Sequence, residues 1–185
     1  MSLTRYLLLF VAMITAGQVL AADRDDRPFS KAIRVLARER SQAESYVSLI
    51  HTVAKAEVSK YARGILLYAD AKAEFDGLIE QMKADLTRGK SPDTSSDFQK
   101  QLQQAVDRRT AFTTYVSEQI VGDEEGRKGA VTGAATAVTL LTLLGKASLT
   151  IWKEFRQVSD TRKKAILTQL DVLKWRAFHE IPGAR

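Results

Sequence analysis

The chain has 185 residues, 27% of them charged, a formal net charge of +6 and no cysteine. That length is enough for one domain with a real core, and the missing thiol excludes disulfides, Cys-based metal sites, thiolate nucleophiles and redox motifs, so the fold relies on packing alone. Pro occurs only at positions 28, 92 and 182, and no window alternates apolar and polar residues between turn signals, which together predict an all-α protein.

The N-terminus has the form of a secretory signal peptide. Arg5 supplies a positive start, and Tyr6 to Thr15 is an apolar run too short for a good membrane span. Val19-Leu20-Ala21 is a small-residue cleavage pattern, with Ala22 the neighbouring choice. No Cys lies at the junction, so a lipid anchor is excluded. Residues 1–22 are therefore expected to be removed on export to the periplasm, leaving 23–185 as a single helical domain; an uncleaved membrane anchor is the alternative.

From Phe29 to Leu86 an apolar stripe recurs at helical spacing. Ile33, Val47, Ala54, Tyr61, Tyr68, Phe75 and Met82 share one seven-residue row, broken only by Arg40, and Leu36, Ala43 and Ile50 run beside it. The pattern predicts one very long helix over 29–88, with coiled-coil-like packing. The second row shifts near Glu57 and Gly64, which suits a nearly straight helix in a bundle better than a strict supercoil. Gly64 marks either a kink or a place where a neighbouring chain segment comes close.

Gly89 is a helix stop, and Ser91-Pro92 leads into a second helix, for which Thr94 and Ser96 compete as N-caps, Ser96 with Gln99 as a weak capping box. Phe98, Leu102, Ala105, Phe112, Tyr115, Val116 and Ile120 form its apolar side. The short connection makes 29–121 an antiparallel helical hairpin. Gly122 to Gly129, with three Gly and five charges, predicts a helix interruption.

Residues 130–144 are apolar on all sides. Gly129, Gly133 and Ala137 form a small-residue row, a device by which membrane helices and close-packed helices meet. This predicts a helix over about 129–144, buried in the body or inserted in the inner membrane. The uncharged run is short of the roughly 20 residues a span needs, and Lys146 would cost about 2–3 kcal/mol near the bilayer centre. The buried reading is therefore placed first. A basic amphipathic helix over 147–179 follows, with Trp152, Phe155, Val158, Ile166, Leu170, Leu173 and Ala177 on its apolar side. It is expected to cover the half of the long helix that carries Leu36, Val47 and Ile50; a homodimer is the other way to cover it. The whole is an elongated antiparallel bundle.

From Asp23 to Lys128 there are 18 Lys and Arg against 18 Asp and Glu, but from Lys153 to Arg185 there are 8 against 4. A basic tail suits anionic lipid or an acidic partner, and export argues against nucleic acid. Trp175, between Lys174 and Arg176, is the candidate outward contact for a partner. His51 and His179 lack metal-ligand spacing, Asp123-Glu124-Glu125 lies in a turn that offers no pocket, and no nucleophile stands beside a base. No metal, cofactor or enzymatic activity is expected. The expectation is a non-catalytic protein-binding protein of the bacterial cell envelope, either immunity-protein-like against a toxin or an adaptor of a secretion system. The alternative is a membrane-inserting or pore-forming protein that uses 129–152.

Overall fold

The computed structural model describes residues 27–54, 57–121 and 124–181, with side chains outside 53–54 and 124–136. The expected cleavage positions Ala21 and Ala22, and Asp123, expected in a turn, lie outside the described residues, and Glu124 and Glu125 are described in their backbone alone. The protein is all-helical, with no strand among the described residues. The helices are α1 (Pro28–Ala54), α2 (Val58–Arg88), α3 (Ser96–Tyr115, continued by a π-helical turn at Val116–Val121), α4 (Glu124–Gln157) and α5 (Asp160–Val172).

The single very long helix expected over 29–88 is two helices. Glu57, at φ −112° and ψ 85°, is outside helical geometry, and α2 packs back along α1. Ile50 meets Gly64, and the His51 and Tyr61 rings lie 5.9 Å apart, so residue numbers fall on one helix as they rise on the other. The stripe misled because folding back preserves its period: each half turns its own apolar row to the same core, and the row shift near Glu57 is the trace of the break. Gly64 is the close approach. A Cβ there would lie 2.9 Å from Ile50 Cδ1, so the missing side chain lets the two helices meet.

The hairpin expected next is formed by α2 and α3. Gly89 adopts φ +70°, and the Lys90 N–H donates to Asp85 O at 2.9 Å, a left-handed stop that satisfies the last carbonyls of α2. The N-cap of α3 is neither Thr94 nor Ser96 but Ser95, whose Oγ accepts from the Phe98 N–H at 3.3 Å. Gln101 Nε2 donates to Glu74 O at 3.0 Å, and Tyr115 Oη donates to Lys60 O at 2.8 Å, which sets α3 antiparallel to α2.

α4 corrects a second boundary. It begins at Glu124, within the Gly122–Gly129 stretch expected to interrupt the helix, and it runs through Gly145 and Lys146, where a second break is expected. A mid-helix Gly costs about 1 kcal/mol, yet the buried row Leu140, Leu144, Ala147, Ile151 and Phe155 crosses that point without changing face, and its burial outweighs the glycine. The helix ends instead at Gln157, and Ser159 caps α5 by accepting from the Arg162 N–H at 3.5 Å. Beyond Val172 the chain leaves helix, apart from a 3₁₀ turn at Phe178–Glu180, so the helix expected over 147–179 is interrupted twice.

α1 packs chiefly on α4 and α2, and Leu36, Val47 and Ile50 are fully buried within one chain. Both α4, whose last third is the start of the expected 147–179 segment, and α2 pack on α1, and Ile50 meets Gly64 of α2. No helix of the described residues is long and apolar enough to cross a membrane; on α4, Lys146, Lys153, Glu154 and Arg156 interrupt the apolar run.

Candidate partner-binding surfaces

Trp175, expected to face outward, is buried. Only 2% of it is exposed, and its ring stacks on Tyr68 and Phe75 with centroids 5.7 and 5.0 Å away. The correction has a local cause. The helix has ended at Val172, so helical spacing no longer decides which way residue 175 points. There the indole turns inward while Arg176 is exposed and Lys174 half-exposed, and the backbone N–H of Trp175 donates to Asp76 Oδ1 at 2.9 Å.

Around this ring the C-terminal segment clasps α1 and α2. Tyr68 Oη donates to Arg176 O at 2.7 Å. Burial, with Glu44 and Asp76 nearby, pushes the Tyr68 phenol above its ordinary range, so it remains a donor. Lys83 Nζ lies 2.6 Å from Asp171 and 3.3 Å from Glu80, and Lys174 pairs with the same two carboxylates. Hydrogen bonds from these ammonium groups lower both carboxyls and raise both lysines from their ordinary values. Arg40, the polar intruder in the apolar row, donates to Glu44 and to the Val172 carbonyl that ends α5.

A second buried polar link joins α1 to α3. Arg109 Nε donates to Glu39 Oε2 at 3.1 Å and Nη2 to Gln42 Oε1 at 3.2 Å. Burial raises the Glu39 carboxyl above its ordinary value, against the attraction of Arg109 and Arg38. These groups are consumed by packing and offer no reactive pair. His51 Nδ1 lies 3.4 Å from Tyr61 Oη, His179 is exposed, and among the described residues no group of His, Asp and Glu could hold a metal ion.

Two surfaces remain open. The first is a face of α4, where Val138 and Leu143 are 68% and 44% exposed with Thr139 and Thr142 beside them. Of the small-residue row singled out in the sequence, Ala137 is half-buried against the core, and the surroundings of Gly129 and Gly133 lie outside the described side chains. The second is a cationic end. Arg27, Lys31, Arg34 and Arg38, spaced by four, three and four residues, line the outer side of α1 and are all exposed. The Arg162 guanidinium stands 5.3 Å over the Phe29 ring, which fixes the start of α5 beside the start of α1. Lys163 lies 5.9 Å over Phe155, and Arg156 4.9 Å over Trp152. Sequence counting located the excess charge in the tail; it missed the α1 stripe because the balanced total up to Lys128 concealed it.

No protein-family model matches the chain, nor does any curated protein or solved structure.

Proposed function

We propose that the chain is a non-catalytic binding protein of the bacterial cell envelope, exported to the periplasm, where it scaffolds or neutralises a partner protein. The observation that supports this reading is the α4 face. Large apolar side chains on a packed helix are normally turned to the core, and here Val138 and Leu143 stand in solvent within a few residues of each other. Around the helix Thr142 and Thr139 lie between Val138 and Leu143, a mixed face of apolar and hydroxyl groups that a protein partner can cover. Arg109 with Glu39 and Tyr68 with Arg176 are polar side chains inside the body that are engaged by structural partners. Immunity against a toxin that acts at the inner membrane and adaptation of a secretion component both use a protein of this kind.

The test places a photo-crosslinking residue at Val138 in cells, identifies the cross-linked protein, and measures its binding in purified form. The wild type and a Val58→Asp control bind that protein alike, while V138D/L143D loses binding. Equal binding by V138D/L143D would falsify the α4 assignment, and the absence of any cross-linked protein from Val138 would sink the reading as a whole.

A further inference from the structure

The geometry points to the cationic end of the body, built by α1, α4 and α5, as a contact for the anionic lipid headgroups of a bilayer. It stands independently of the partner surface on α4. Arg34, Lys153, Arg156, Arg162 and Lys164 are exposed there, and none pairs with a described carboxylate. The carboxylates on the same segments are few: Glu154 is half-buried, and Asp160 is engaged by Lys163 at 3.0 Å. α1 and α5 also begin at this end, and helix N-termini add positive potential. Among the described residues the exposed cations of these three helices outnumber the carboxylates, and the C-terminal end of α4 at Gln157 offsets only part of what the two N-termini add; in the clasp, by contrast, each cation has an acidic partner.

A lipid surface fits this end better than an acidic protein does. A specific protein interface needs an apolar centre and is depleted in lysine. Among the described residues the large exposed apolar side chains are Val58, Leu66, Val138, Leu143 and Val172, and none belongs to this cluster. The aromatic rings present, Phe29, Trp152 and Phe155, sit beneath cations and brace their stems instead of presenting a free face. What remains is a broad set of long, flexible charges without fixed hydrogen-bond geometry. That suits a fluid array of phosphates, where each Lys or Arg close to the surface contributes about 1 kcal/mol, or roughly fivefold in partitioning.

The experiment measures co-sedimentation of the exported form, residues 23–185, with vesicles of phosphatidylglycerol and phosphatidylcholine, against pure phosphatidylcholine. Binding is expected to the anionic vesicles only and to weaken as salt rises. R34Q/K164Q is expected to lower the partition coefficient roughly 30-fold. The charge-matched K60Q/R63Q pair, at the far end of α1 and α2, leaves it within about twofold, because those positions lie beyond a screening length from the contact. Unfolding midpoints of the two variants check that both fold. Equal partition onto neutral vesicles, equal loss in the two double variants, or no pelleting at all overturns the proposal. Retention on immobilised polyglutamate without vesicle binding also overturns it and identifies an acidic protein as the occupant.

Discussion

Cations gather beside aromatic side chains in two regions of this molecule, and only at the start of α1 and α5 do they lie over the rings. In the clasp around Trp175, Lys83 and Lys174 share Asp171 and Glu80, and Arg40 and Arg176 both approach Glu44, at 2.8 and 3.7 Å. The charge there is internally balanced, and the ring beneath is buried. At the start of α1 and α5, Arg162 and Arg156 lie over Phe29 and Trp152 with no carboxylate partner among the described residues. Net charge on the tail therefore conceals two populations: cations that hold the fold together and cations left for an outside partner.

The comparison breaks most readily at its two tryptophans. Trp175 is buried and stacked on both sides, so W175A is expected to lower stability by about 3–5 kcal/mol through the lost contacts and the cavity left behind. Trp152 is half-buried under Arg156, and W152A loses only part of that area. Denaturant unfolding of the two variants measures the difference. Equal losses would mean that the clasp is no more structural than the open end.

The tryptophans also show where sequence reasoning reaches and where it stops. Periodicity correctly marks the apolar faces: Leu36, Val47, Tyr68, Phe75, Met82, Phe98, Leu102, Phe112 and Leu170 are all buried. It cannot say whether a stripe lies on one helix or on two that fold back, since both arrangements keep the period, and so the break after Ala54 was legible only as a row shift. It overvalues Gly145, because propensity ignores the continuous buried row on either side. Beyond Val172 helical spacing stops describing the chain, and the flanking Lys174 and Arg176 point the reading of Trp175 outward although its ring is buried. The cationic end needs tertiary structure to be seen at all: Phe29 and Arg162 are far apart in sequence and adjacent in space.

A third use of a cation, internal and buried, sharpens the structural half of the comparison. Arg109 and Glu39 are both nearly inaccessible, with side-chain exposures of 12% and 10%. R109M strands the Glu39 charge and is expected to cost about 3–5 kcal/mol, whereas replacing both partners with apolar residues costs much less. The pH dependence follows from the raised Glu39 carboxyl. The folded protein holds that proton more tightly than the unfolded chain, so Glu39 contributes stability below the ordinary glutamate range and loses it as pH rises through the raised value. E39Q removes this slope. The stability of the wild type relative to E39Q is thus expected to fall as the pH passes from below that range to above it, as read from unfolding midpoints across the interval. A relative stability that rises instead would mean that Arg109 outweighs burial.

The smallest effect separates two lysines. Lys174 is paired with Glu80 and Asp171 in a network shared with Lys83, while Lys164 has no such partner. Exposed ion pairs contribute about 0.2–1 kcal/mol, and a network holds its side chains at lower entropic cost than isolated pairs do. K174A is therefore expected to lower stability by up to about 1 kcal/mol, an effect that shrinks in high salt. K164A is expected to leave the unfolding midpoint unchanged, and to raise it slightly at low salt if like charges at the open end repel one another. That sign is informative. A cluster assembled for stability would weaken when one member is removed, whereas a cluster kept for an outside anion is under self-repulsion until the anion arrives. Midpoints for K164A at two salt concentrations distinguish the two cases without knowledge of the partner.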